Sequence, residues 1–411
     1  MRAALFSGRV PAPGAVIHLA AFLLMTGEPV AADEPRLPGV GAAMERMVAA
    51  DEIAGAVTVV VNRDRTLHLE CTGLADIASG RPMTTDTLFW IASMTKPVTG
   101  AAMAMLIDEG KVAIDDPVER YLPVFADLKT PSGKAAHLTI RQILTHTSGL
   151  GEATSEATRN ARELADLVPA WLAAPMKNEP GEKWIYTQSG INLAGRIVEV
   201  VSGQRFDAFL QERLFDPLGM ADTTFYPTDR HRERMATPYA RNRDTGRLEV
   251  APPRAEYGTP TLPPQGNGGL YSTPLDYSRF CRMLLNRGTL DGRRYLGEKG
   301  MQAVSTVQTG DLPAGFFQSD AAGGYGANYG WGLGTCVLRS PHPGVAAMLS
   351  PGTFGHGGAW GTQAWVDPVR GVAYVLMVQR ANFPNSDGSD VRRDFQAAAA
   401  ASLFPDTKPA R

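Results

Sequence analysis

The chain has 411 residues, enough to bury a large apolar core as two domains or as one domain with a large insertion, which excludes a disordered or fibrous class. Its 40 basic and 42 acidic residues leave a formal charge of -2, with no Lys/Arg run to follow a phosphate backbone, so nucleic acid is not an expected partner.

Residues 1–32 read as an export signal: Arg2 and Arg9 precede the apolar stretch Ala15 to Met25, and Val30-Ala31-Ala32 is a small-residue cleavage pattern. About a dozen apolar residues are too few to span a bilayer. A periplasmic or secreted mature protein with no stable membrane span is therefore expected. The spacing of apolar residues then predicts a helix over Gly41 to Ala50 and two strands, Ala56 to Val61 and Thr66 to Cys71, around the turn Asn62-Arg63-Asp64-Arg65.

Helices are predicted at Thr95 to Glu109, Thr139 to Thr145, Ala161 to Leu172, Ile191 to Val201 and Phe206 to Leu214, separated by Pro/Gly-rich loops. Thr139 with Gln142 forms a capping-box pattern, and Thr273-Pro274 reads as an N-cap and first helical residue. His146 is assigned to packing or capping and Asp276 to a helix-start charge. Near the far end, strands at Gln363 to Val366 and Val372 to Val378 flank Asp367 to Gly371, and an Ala-rich helix covers Asp390 to Leu403.

This order predicts an α/β class. Residues 33–92 and 325–411 would form an antiparallel sheet domain flanked by terminal helices, and residues 93–324 an inserted, mainly helical domain with loops, leaving a cleft at the junction. Cys71, Cys281 and Cys336 form no C-x-x-C and sit in apolar contexts, so buried structural thiols are expected.

Three segments carry chemistry. Ser93-Met94-Thr95-Lys96 opens an apolar helix, and Lys96 is the only one of the eight lysines with a serine three residues before it. Residues three apart share a helical face, so a neutral Lys96 can take the Ser93 proton, while backbone N–H groups at the helix start favour the oxyanion. Acting as a base near neutral pH requires Lys96 to lose about 3 pK units, roughly 4 kcal/mol, which desolvation can supply.

The second segment, Pro180 to Gly190, feeds the helix at Ile191, which Ser189 or Thr187 can cap; Tyr186 can relay protons and Gln188 can offer its amide to a substrate. The third, Phe354 to Gly361, contains His356-Gly357-Gly358. Its glycines let a substrate lie along the backbone, and the Ala359 N–H can join that of Ser93 as an oxyanion donor.

Taken in order, Ser93-x-x-Lys96, Tyr186-x-Gln188 and His356-Gly357-Gly358 resemble the serine β-lactamase and penicillin-binding-protein superfamily. Leu144 to Leu150, Phe215 to Met220, Gly268 to Thr273 and Tyr329 to Gly332 extend the likeness over most of the chain. The resemblance implies acyl transfer through Ser93 with Lys96 and Tyr186, substrate contacts at Gln188, His356, Gly357 and Gly358, and no metal or organic cofactor. Two departures bear on substrate: Gln188 replaces the usual Asn and His356 the usual Lys, which weakens selection for anionic substrates and brings the pattern closest to family VIII carboxylesterases.

A small-molecule ester or amide is thus the expected partner. β-Lactamase, D-alanyl-D-alanine carboxypeptidase and D-amino-acid peptidase activities stand as alternatives, as does a binding or sensor module without turnover. The chain has no G-x-S-x-G elbow and no H-E-x-x-H pair.

Overall fold

Strands from the two ends of the chain meet in one sheet. The computed structural model describes residues 35–252, 258–320 and 323–406; the expected export segment lies outside them. The strands are β1 (Gly55–Asn62), β2 (Thr66–Asp76), β3 (Arg81–Pro82), β4 (Tyr329–Trp331), β5 (Cys336–Leu338), β6 (Phe354–Gly357), β7 (Gln363–Asp367) and β8 (Val372–Met377), in the antiparallel order β4-β5-β6-β7-β8-β1-β2-β3. In the centre β1 pairs with β8, Val57 opposite Met377, and this pairing brings early and late sequence together.

Alternating side chains of β1 enter two different cores. Val57, Val59 and Val61 face one, and Ala56 and Val60 face the other. The second core is closed by α1 (Val40–Ala49) and the C-terminal helix Asp390–Leu403, through Val40, Met44, Phe395 and Ala399. The first is closed by α2 (Thr95–Asp108) and by the helix Pro274–Leu285. Strand β2 runs on to Asp76, beyond the expected end at Cys71, because Gly73 at φ 73° lets it bend and keep pairing with β3.

Helix α2 is buried on nearly every side. Each fully buried side chain such as Val98, Met103 or Leu106 contributes about 1.5–3 kcal/mol, which fixes the element carrying Lys96. The expected helix over Ala161 to Leu172 is instead a short turn, Leu164–Leu167, followed by the helix Val168–Ala173. Pro169 has no N–H to donate and is confined to a helix's first turn, so one helix cannot run through it.

Thr139 and Gln142 form the capping box of α3 (Ile140–Leu144), and Thr273 caps the helix Pro274–Leu285. Cys281 and Cys336 are buried free thiols, but Cys71 is only half-buried, since it lies where β2 approaches the sheet edge. Among the described residues no helix is long and apolar enough to cross a membrane.

Candidate active site

Ser93 sits in a tight turn, Ala92–Met94, that leads directly into α2. The residue before it, Ala92, has φ 45°, a left-handed conformation that an alanine adopts only under constraint. The constraint is visible: the Ile91 N–H donates to Leu270 O, Thr362 Oγ1 donates to Ile91 O at 3.2 Å, and the Tyr277 hydroxyl donates to Met94 O at 2.8 Å.

The helical spacing brings Lys96 Nζ to 3.0 Å from Ser93 Oγ. Lys96 is fully buried, and burial holds its ammonium well below the ordinary lysine value, against a smaller opposing pull from Glu152. Its Nζ also donates to Asn267 O at 2.6 Å and to Gln188 Oε1 at 3.0 Å. Asn267 Nδ2 donates to the same Gln188 oxygen at 2.9 Å, which fixes that side chain with its oxygen toward Lys96. Gln188 thus faces the lysine with one end of its amide while still lining the cavity beside Ser93.

Tyr186 places its hydroxyl 2.9 Å from Ser93 Oγ and its ring centroid 4.6 Å from Lys96 Nζ. The ring is held in an aromatic wall made by His146, Trp184, Phe316 and Trp331. His146 is a packing residue there. Its Nδ1 accepts from the Thr187 N–H, and burial keeps its imidazole well below the usual histidine value.

Against the same rings β6 presents His356, which packs on Tyr186, Phe316 and Trp331 and whose Nε2 lies 3.5 Å from the Tyr186 hydroxyl. Its Nδ1 is 2.6 Å from Gly357 O, an acceptor, so Nδ1 carries the proton and the Nε2 lone pair faces the tyrosine. Burial, reinforced by Lys96, pushes its pKa down to about 3, and the ring is neutral across the working range.

Ser93, Tyr186, Gln188, His356, Gly357 and Ala359 line one cavity of about 480 Å3. Gly358 does not. Its N–H donates to Thr362 O, and a Cβ there would meet Ile91 O at 2.6 Å, so this glycine lets β6 pack against the turn that carries Ser93.

Two residues around this group had no local signal. Asn267 lies 79 residues after Gln188, and only the Gly268 to Thr273 likeness beside it pointed to its position. Glu152 is the other. Its carboxylate accepts from the Gln188 N–H at 2.6 Å and from the Ser189 N–H and hydroxyl at 2.9 and 2.7 Å. It therefore caps the helix Ser189–Ser202, where Ser189 or Thr187 had been expected to, because a carboxylate can satisfy several orphan donors at a helix start.

A buried lysine one turn from a serine, with a tyrosine hydroxyl on that serine, on a large antiparallel sheet flanked by helices, defines a class: the β-lactamase-like serine hydrolases. The family model described as Beta-lactamase matches residues 40–399, and the chain belongs to this family. Esterase EstB of Burkholderia gladioli is 30% identical over 366 residues, covering 80% of this chain and 86% of that protein. Penicillin-binding protein 4 of Amycolatopsis lactamdurans is 31% identical over 280 residues, covering 67% and 71% respectively. Among solved structures, EstCE1, a hydrolase with promiscuous acyltransferase activity, has a TM-score of 0.74 at 22% identity, covering 88% of this chain and 97% of that one, a likeness of fold.

Proposed function

We propose that the chain hydrolyses carboxylic esters through an acyl-enzyme on Ser93. The observation that carries this reading is the set of partners around Lys96. Asn267 O and the oriented Gln188 Oε1 are acceptors, so they take the two N–H groups of a neutral amine and leave its lone pair for the Ser93 hydroxyl proton. Among the described residues no carboxylate forms an ion pair with Lys96, so nothing in contact favours the charged form enough to offset desolvation.

Lys96 then accepts the Ser93 proton as Oγ attacks the ester carbonyl, and the N–H groups of Ser93 and Ala359 stabilise the oxyanion. Tyr186 passes its proton to the departing alcohol and regains one from Lys96, which returns to the neutral amine. Water cleaves the acyl-enzyme by the reverse relay, and between transfers the neutral His356 imidazole accepts from the Tyr186 hydroxyl. Among the described residues no Lys or Arg lines the cavity, which favours an uncharged ester over a β-lactam or a peptide carboxylate. The esterase relative EstB supports the same choice. The pattern of Arg2, Arg9 and Ala15 to Met25 supports export, so the working compartment in this reading is periplasmic or extracellular.

Steady-state release of p-nitrophenol from short-chain p-nitrophenyl esters tests the proposal. Wild type should turn over many times and Ser93→Ala should not, at unchanged circular dichroism. A single stoichiometric burst from wild type would overturn it in favour of a binding module.

A further inference from the structure

Beyond the residues assigned to chemistry, one further ionisable side chain among the described residues lines the cavity beside Ser93, that of Asp387. It lies in the turn Ser386–Gly388, which precedes the C-terminal helix Asp390–Leu403. The position is held from three sides. The Asp387 N–H donates to Asn385 Oδ1 at 3.1 Å, Arg392 Nη1 donates to the Asp387 main-chain carbonyl at 2.8 Å, and Gln363 Nε2 donates to Asp387 Oδ1 at 3.1 Å. Among the described residues nothing donates to Oδ2, and no cation forms an ion pair with the carboxylate.

The sequence around His356 has been shaped to admit this group. A Cβ built on Gly357 would collide with Asp387 Oδ1 and with the Gln363 amide, so residue 357 is glycine where the carboxyl group stands against β6. The acid therefore occupies the flank of the strand along which a substrate is expected to lie. Burial raises the Asp387 carboxyl above the usual carboxylate value, against smaller opposing pulls from the Arg392 guanidinium, which stacks 3.9 Å over the Trp365 ring, and from the Gln363 amide, so the group carries its charge only above that raised value.

We propose that Asp387 is a specificity-determining residue that excludes substrates placing a carboxylate beside β6, so that the esters accepted are uncharged around the scissile bond. The proposal rests on the esterase reading of Ser93 and deepens it. Above its raised value Asp387 is ionised, and a like charge set beside it in a desolvated cleft costs at least about tenfold in binding.

The test uses matched pairs on the full chain: p-nitrophenyl caproate against p-nitrophenyl hydrogen adipate for the acyl arm, and phenyl butyrate against its ring-carboxylated analogue for the alcohol arm. In wild type at least one carboxylate should lose about tenfold or more in kcat/KM against its neutral partner, and Asp387→Asn should erase most of that ratio with little change for the neutral ester. Wild type accepting both carboxylates within about twofold overturns the proposal, as does an Asp387→Asn enzyme that keeps the discrimination. Should Asp387→Asn fail to fold, seen as lost turnover of the neutral ester and altered circular dichroism, the wild-type ratios alone decide. Failure of the neutral esters in wild type would instead sink the esterase reading.

Discussion

Replacing Gln188 by Glu is a nearly isosteric change that converts the acceptor facing Lys96 into a charge. Lys96 Nζ and Gln188 Oε1 are 3.0 Å apart, and two unit charges at that distance interact by about 5 kcal/mol at an effective dielectric near 20. At about 1.4 kcal/mol per unit this would raise the lysine by up to about 4 units. Gln188 is half-buried, so solvent screening and the cost of desolvating the new carboxylate cut this to roughly 2 units.

Because the reactive form is the neutral amine, activity appears as pH rises through the Lys96 value. Raising that value moves the acid limb of the profile upward. At about pH 7 the Gln188→Glu enzyme should lose roughly a hundredfold in kcat/KM for a p-nitrophenyl ester, and recover most of it by about pH 9. The assay is a kcat/KM profile against pH, corrected for spontaneous hydrolysis, with thermal unfolding as the fold control. A variant whose acid limb coincides with that of wild type would refute the assignment of neutral Lys96 as base.

Tyr186→Phe removes the hydroxyl 2.9 Å from Ser93 Oγ while keeping the ring in its aromatic wall, and should cost at least roughly a hundredfold in kcat; a rate near wild type would exclude Tyr186 from proton transfer. Acid should also destabilise the fold through its buried neutral histidines. His68 and His356 titrate near 6.5 when unfolded, but burial depresses them to about 4 and about 3 when folded, so below 6.5 the unfolded chain binds more protons. Stability is therefore full above about pH 6.5 and falls toward pH 4, with at least about 2 kcal/mol lost between about pH 7 and 5. Urea titrations at the two pH values measure this, and an equal or higher midpoint at the lower pH would contradict it.

Much of the site could be read locally. The relation of Ser93 to Lys96 is a property of helical geometry, and three residues of spacing were enough to place Nζ beside Oγ. The terminal strands were legible from their alternating apolar residues, although only pairing across the sheet showed that Val57 lies against Met377. The Ser189 or Thr187 cap was misread for a related reason. Local pattern identifies side chains that can cap, but Glu152 reaches those N–H groups from a loop elsewhere and satisfies more of them.

What the sequence by itself determined, then, is the spacing of Ser93 and Lys96, the order in which Tyr186 and His356 follow them, and the α/β class, because each depends on short-range spacing or on an ordered set of motifs. Only the tertiary structure decided the surroundings that lower the Lys96 ammonium. Desolvation is set by packing from every direction, and the partners that orient Gln188 toward Lys96 come from a distant loop. The surroundings of the cavity are tertiary too: the burial of His356 is set by β6 and its neighbours, and Asp387 meets Gly357 only because the turn before the C-terminal helix folds against that strand.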